Sequence, residues 1–527
     1  MTIFQRIAEA VRRWWSRLIP YKDITSAEQI RTPLAPEMVR ALSLWRDLYH
    51  NRAPWKAPGK VKSLNLLALA AGEVARQVVL ELGWDIEGES GMVDGGDASD
   101  SRLNPARAAW LKGEFAGLMD ALRLKLEVGC AAGGMIVKPC PDPATGKIYF
   151  DFVPDWSICP LAFDGAGNLV DVIIPDVYRE GEVIFTRLER HRLVGMSAER
   201  SEAEGASAGA RRVTRGFAVG EQDAPETRDP QFIARARGGG DVEITQRAFR
   251  STREDSLGTE VPLASVERWA ALEPEVTVTG AGGMLFGWFR VAAANTVDAD
   301  CPLGASVFAR GVEVAREIDM QYSRLLWEFE GGELAVDVDP TALYEKGDGK
   351  GGVLPRLNER LFRAVDTGAE STYQVFAPAL RDASLVNGLN QLLIRFEDLC
   401  GLSRGTFSDA NVDARTATEL RIARQRSYAT VADNQRALEK CLRDVLRAMD
   451  VYATLYGLAP AGEWAASFEW DDSILTDVEQ QLQQRLQLVQ AGAMSRAELR
   501  QWYLGESEEQ AQAGVRRARE EETGNRQ

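Results

Sequence analysis

Histidine is nearly missing from this chain: His50 and His191 are the only two in 527 residues. Most imidazole-based metal and acid/base chemistry is thereby excluded in one step, and both histidines are expected to be structural. Cysteine is sparse and scattered. Cys130, Cys140, Cys159, Cys301, Cys400 and Cys441 form no C-x-x-C pair, so buried free thiols are expected rather than a zinc site or a disulfide framework. No apolar run approaches the roughly 20 residues that cross a bilayer. The start lacks the n-region, h-region and cleavage pattern of a secretory signal, and a protein made and kept in a cytoplasm is expected. Also missing are the P-loop pattern G-x-x-x-x-G-K-[ST], a nucleophile elbow and H-E-x-x-H. The acidic run Glu469-Trp470-Asp471-Asp472 lacks calcium-loop spacing. No catalytic residue, metal or cofactor is therefore assigned.

What is present is ordinary in amount. The length suggests roughly three or four packed units. Hydrophobic residues at 45% and charged residues at 27% exclude a wholly disordered or collagen-like chain. A net charge of −16 argues against a protein that coats nucleic acid through an exposed basic face.

Apolar spacing predicts helices over 35–50, with Met38, Leu42, Trp45 and Leu48, and over 60–82, with Leu64, Leu67, Val74 and Val78. A third is expected from Ala106 to Val128, before the break at 129–134. From Met135 to about Gly195 the text turns β-like, with short apolar runs at 135–138, 147–150 and 182–185 between Pro, Asp and Gly turns. Residues 197–240 lose periodicity and read as an insertion. β-like text resumes at 241–250 and 275–280 and ends on the aromatic patch at 284–289.

The second half is expected to hold long helices, at 304–330 with Arg310, Arg316 and Arg324 opposite an apolar stripe of Val307, Gly311, Val314, Ile318, Leu325 and Phe329, at 379–402 with Leu385, Leu389, Leu392, Phe396 and Leu399, and at 416–456. Between the first two lies a small α+β excursion, 333–378. Between the last two lies a polar loop, 401–414, and Thr416 with Glu419 has the spacing of a capping box. The stretch 474–520 is again helical. At the other end, residues 1–21 are amphipathic, with Phe4, Ile7, Val11, Trp14 and Leu18 among Arg6, Arg12, Arg13 and Arg17. An interfacial helix fits that pattern, as does the favoured reading, a helix docked on its own protein or a neighbouring subunit.

In order along the chain, Trp45 to Trp55 ahead of a helix, Pro302-Leu303-Gly304-Ala305-Ser306 before Glu317-Ile318-Asp319, Arg415-Thr416-Ala417-Thr418-Glu419 after a glycine-bearing loop, and Ala491-Gly492-Ala493-Met494-Ser495 after Thr476-Asp477 make a pattern. It resembles the tailed-phage portal proteins, the portal or minor capsid family of siphophages of Gram-positive hosts. The order carries the resemblance, since none of these motifs is specific alone. The insertion at 197–240 has no counterpart in the family pattern.

The resemblance implies an α+β, mainly α portal fold with wing, stem, clip and crown regions, assembled as a ring usually of twelve subunits. Residues 1–303 would be N-terminal helices and a β-rich wing, 304–332 and 379–402 the stem helices, and 333–378 the clip. Residues 403–414 would be the tunnel loop, 415–460 the long wing helix, and 461–527 the crown and C-terminal tail. The implied function is a non-enzymatic DNA channel at a capsid vertex, serving genome packaging, head-tail joining and ejection. Partners would be other copies of the chain, double-stranded DNA bound without sequence preference, a terminase motor, head-completion or adaptor proteins, and capsid and scaffold proteins. The expected location is the virion, after assembly in the host cytoplasm. An acidic chain suits such a channel, whose wall must let DNA slide.

Candidate DNA-contacting residues in the tunnel loop are Arg404, Thr406, Phe407, Ser408 and Asn411. One Arg per subunit would give a belt of positive charge that touches phosphates without reading bases. Gly347 to Gly352 formally satisfies G-x-G-x-x-G, but Pro355 follows and no βαβ unit is visible. This run is read as the clip tip, with Lys346 and Lys350 facing DNA, the motor or a connector. Two other classes stay open: a cytosolic enzyme with an α/β catalytic domain and a helical tail, and a membrane-surface scaffold using residues 1–21.

Overall fold

A computed structural model describes residues 32–56, 61–80, 82–88, 105–142, 145–195, 240–253, 256–338, 362–364, 373–409, 417–470, 478–504 and 507–524. The amino-terminal helix expected at 1–21, nearly all of the insertion, the Thr416 end of the capping box, Lys346, Lys350 and Asn411 lie outside them.

The first two apolar repeats form α1 (Pro36–Tyr49) and α2 (Leu66–Val79), which bury Met38, Leu42, Trp45 and Leu48, and Leu67, Val74 and Val78. α2 starts later than its apolar spacing suggests. The amides of Lys62 and Leu64 are engaged elsewhere, donating to Ser323 Oγ at 2.9 Å and Asp319 Oδ1 at 3.0 Å. α3 (Pro105–Ala132) sinks Leu111, Phe115, Leu118, Leu122 and Leu126 into the core and runs four residues past its expected end at Val128, into the expected break. Its buried end, Gly129 to Ala132, is made of small residues that let the next strand fold back closely. A Cβ on Gly133, at φ +90°, would stand 2.4 Å from the Gly304 carbonyl oxygen, so two backbones cross here where side chains cannot fit.

β1 (Leu82–Glu87) precedes α3, and the β-rich module follows it. β2 (Gly134–Asp142) and β3 (Lys147–Pro154) form an antiparallel hairpin. The large sheet runs β4 (Cys159–Phe163), β5 (Leu169–Glu180), β6 (Val183–Val194), β7 (Asp241–Ser251), β8 (Thr259–Val261), with β9 (Glu275–Val278) pairing the other half of β7. β10 (Gly287–Arg290), from the aromatic patch, pairs antiparallel with β2 and buries Phe289.

Between the two sheets lies a buried ion cluster. Lys138 Nζ sits 2.8 and 2.9 Å from the two oxygens of Glu189, Arg187 Nη2 is 2.9 Å from Glu189 Oε2, and His191 Nε2 is 2.7 Å from Oε1. Burial alone would raise Glu189, but Lys138 and His191 prevail and hold it well below the usual carboxylate range. His191 is thus structural. All six cysteines are free thiols and five are buried, Cys140 being half-buried.

Next come α4 (Val312–Gly331), β11 (Ala335–Val338), β12 (Phe362–Ala364), β13 (Tyr373–Phe376), α5 (Asp382–Cys400) and α6 (Ala417–Leu455). β11 is central in its sheet, parallel to β12 and antiparallel to β13. The second half of α6 buries Leu438, Cys441, Leu442, Val445 and Met449 against the body. There a buried Arg107 reaches from α3 to Asp450, with Nε 2.8 Å from Oδ1, and donates to the Ala459 carbonyl at 3.0 Å and Thr454 Oγ1 at 2.6 Å. β14 (Ala465–Trp470) pairs antiparallel with β1, bringing the chain back to its beginning.

The last stretch divides into α7 (Val478–Gln490), α8 (Arg496–Leu504) and α9 (Glu508–Gly524). Two reciprocal caps make the breaks. Glu498 N donates to Ser495 Oγ at 3.1 Å while Ser495 N donates to Glu498 Oε2 at 2.7 Å, and Ser507 with Gln510 repeats the arrangement. The mixed architecture agrees with an α+β class.

Candidate functional site: a helical hairpin and the loop that leaves it

α4 and α5 lie antiparallel. Gly311 at the start of α4 faces Phe396 and Cys400 at the end of α5, and Gln321 Nε2 donates to the Leu385 carbonyl at 3.4 Å. At the far end Arg381 clasps Glu328, with Nη2 2.6 Å from Oε2, Nε 3.1 Å from Oε1 and its backbone N–H 3.0 Å from the same oxygen. These bonds from Arg381 push Glu328 down to about 2. The three-stranded sheet β12-β11-β13 is thus inserted between two helix ends held together.

The buried stripe of each helix differs from the one its spacing suggests. On α4 it is Ala315, Ile318, Asp319 and, at the far end, Glu328, led by Gly311 just ahead of the helix, whereas Phe329 and Trp327 are exposed, the latter by 67%. On α5 the buried positions are Phe396, Glu397 and Cys400, and Leu399 faces outward. Three carboxylates are buried on these helices because each serves a fixed set of donors, Glu328 those of Arg381. Asp319 accepts the Trp55 indole N–H and the Leu64 amide, both at 3.0 Å, which straps the segment before α2 onto α4.

Glu397 has more to hold. α5 ends at Gly401, whose left-handed φ of +71° turns the chain, and a Cβ there would meet Thr430 Oγ1 at 2.7 Å. The chain then curls back over the Glu397 carboxylate, which accepts Phe407 N at 2.5 Å, Ser408 N at 2.7 Å, Ser408 Oγ at 2.8 Å and Gly405 N at 3.2 Å. Asn390 continues the clasp by accepting Asp409 N at 2.7 Å.

Of the loop candidates, Ser408 is buried on Glu397, Phe407 packs its ring 6.4 Å from that of Phe396, and Thr406 Oγ1 donates to the Ser403 carbonyl at 2.6 Å. Arg404 is exposed, but its guanidinium is 2.9 and 3.1 Å from the two oxygens of Asp398. In this chain it presents an ion pair, not a bare charge. Arg310, Arg316 and Arg324 all lie on exposed positions of the α4 segment. Glu397 and Asp398 were missed by sequence reasoning. The available signal was an acidic residue beside Phe396 and Cys400 on the apolar side of a helix, immediately ahead of a polar loop.

Residues 364–525 match the model of a family described as phage portal protein, SPP1 Gp6-like. Over that segment the chain is similar to the tailed-phage portal proteins. The match begins at the last residue of β12 and runs past the end of α9, so it includes α5, the Glu397 loop, α6 and the three closing helices. Residues before it, α4 and the β-rich module among them, stand on their own geometry. No curated protein matches the chain. Among the described residues no helix is long and apolar enough to cross a membrane.

Proposed function

We propose that this chain is the portal subunit of a tailed phage. Copies of it, about twelve, close into a ring at one capsid vertex and pass double-stranded DNA without reading its sequence. In this reading α4 and α5 are the stem, the sheet β12-β11-β13 is the base of the clip, and 403–414 is the tunnel loop. The second half of α6 ties these parts to a β-rich wing, and 461–527 makes the crown and tail. The clip docks the terminase motor during packaging and afterwards takes head-completion or adaptor proteins, while the outer surface meets capsid and scaffold proteins. The chain is given no reaction of its own.

The observation that carries the reading is the family match across a segment whose geometry is a helix, a tightly latched loop and a 39-residue helix in succession. The latch supports a neutral channel lining. Arg404 paired with Asp398 offers DNA a dipole, and moving DNA past paired charges breaks fewer strong phosphate contacts than moving it past bare arginines.

Electron microscopy and native mass spectrometry of the purified chain test this. A closed species of about twelve subunits with an axial hole is expected. Monomers under all ionic conditions, or rings without a hole, would overturn the reading.

A further inference from the structure

α7, α8 and α9 lack a core of their own. They have 13, 9 and 17 residues, lengths at which isolated helices are marginal in water and need tertiary burial of an apolar face. Yet among their described residues only Ala511 is buried, and α8 buries nothing. Leu486 and Leu488 of α7 are 40% and 44% exposed, and Tyr503 and Leu504 of α8 are 55% and 52% exposed. Two contacts inside the unit are made by arginines. Arg485 stacks over the Trp502 ring at 4.3 Å, and the Arg500 guanidinium lies across Gly514, where any Cβ would come within 2.7 Å of it.

We propose that this unit is completed on assembly, its open apolar side being covered by the same unit of a second copy of the chain. The proposal rests on the ring reading, which sets copies of one segment side by side, and three features of the unit select that occupant. First, the apolar residues Val478, Leu482, Leu486 and Val489 recur at steps of three and four, a seam that like helices can share. Second, the sequence of α9 runs in blocks: Glu508 and Glu509, then Arg516, Arg517 and Arg519, then Glu520, Glu521 and Glu522. Such a pattern is complementary to a displaced copy of itself. Third, α7 carries only Glu479 and Arg485 among glutamines, so it offers no cationic face to nucleic acid or an anionic lipid surface.

Hydrogen exchange of the full chain, on either side of its assembly concentration and with native mass spectrometry to count subunits, tests the proposal. Amides of 478–524 should exchange at least about ten-fold more slowly in the assembled form, while those of α3 stay unchanged. A variant, Leu486→Asp, checks the same face. That side chain is exposed in the single chain, so the monomer should melt as before while the concentration needed for assembly rises at least about ten-fold. Assembled rings whose α7–α9 amides exchange as fast as in the monomer would overturn this inference and leave the portal reading standing. Protection already present in the dilute monomer would mean that the chain's own residues cover the face, which also overturns it. A chain that never assembles would sink both.

Discussion

α3 and α9 are both long helices of one chain, yet their surroundings are opposite. α3 drives Leu111, Phe115, Leu118, Leu122 and Leu126 to zero or 1% exposure and fixes its first turn with a buried ion pair, whereas α9, among its described residues, buries one alanine. The sequences announce part of this difference, since α3 carries a stripe of large apolar residues while α9 has only Val515 and three alanines among charged and amide side chains; the partner decides the rest. α3 meets α2, β2 and α6 of its own chain, so its stability is intramolecular. Among the described residues α9 packs mainly on α8, and burial that would stabilise it further must come from elsewhere. On the assembly proposal above, the body persists as a monomer and the carboxy-terminal unit responds to assembly.

The comparison is broken most directly at Arg107. Replacing it with Ala leaves the Asp450 carboxylate buried without its cation, and such losses cost about 3–5 kcal/mol. Urea unfolding of the monomer should show that loss in full. The pair Arg107→Met with Asp450→Leu should recover most of it, because an apolar pair of similar volume needs no desolvated charge. If Arg107→Ala unfolds within about 1 kcal/mol of the parent chain, the body is not held as described here.

A second body site titrates. Asp155 is fully buried against Gly134, where a Cβ would stand 2.3 Å from its Oδ2; one oxygen accepts the Trp288 indole N–H at 3.1 Å and, among the described residues, the other has no hydrogen-bond partner. Burial, outweighing that bond and the nearby Arg290, pushes the carboxyl up to about 7. The folded value lies above the unfolded one of 3.8, so the neutral form is the one that stabilises. Its contribution is full below about pH 4 and is lost as pH rises towards 7, with a total on the order of 4 kcal/mol. Asp155→Asn should flatten the stability profile over that window, and denaturant melts at pH 5 and pH 7.5 measure it. An unaltered slope would show that Asp155 is solvated.

Much of the fold was legible because period and burial coincide where a helix lays one apolar face on the body: Met38, Leu42, Trp45 and Leu48 are all buried as their spacing implies. Reading failed where packing is decided by small or charged residues. α3 was cut short at Gly129 because glycine usually ends a helix, whereas here it lets Met135 come close. On α5 the outward Leu399 was taken for core and the inward Glu397 was not seen, since an apolar scale ranks leucine inside and carboxylate outside. The loop's place was readable from its turn residues. Its conformation was not, because four donors converge on one carboxylate from eight to eleven residues away.

That carboxylate gives a smaller test, midway between the two regions. Glu397→Gln keeps the shape but loses the ionised acceptor, and leaving backbone donors poorly paired costs about 1–3 kcal/mol. The loss should be local. Limited proteolysis at 403–409 should quicken roughly ten-fold while the buried half of α6 keeps its hydrogen-exchange protection. Proteolysis at the parent rate would mean that Asn390 and the Phe396–Phe407 contact suffice to hold the loop.

The smallest effect is expected at Ser495, and it sharpens the comparison because α8 buries no residue within one chain. Ser495→Ala removes one of the two reciprocal cap bonds, a loss of about 1 kcal/mol. In a helix sunk in the body, such a loss would be shared with the global transition and would move the whole melt. In α8, which buries nothing, it can only raise local opening. Amides of 496–504 in the monomer should therefore exchange roughly five-fold faster, about what 1 kcal/mol gives, with the global midpoint unmoved. A midpoint that falls together with the local protection would mean that the closing helices and the body unfold as one unit, and the contrast drawn between α3 and α9 would fail.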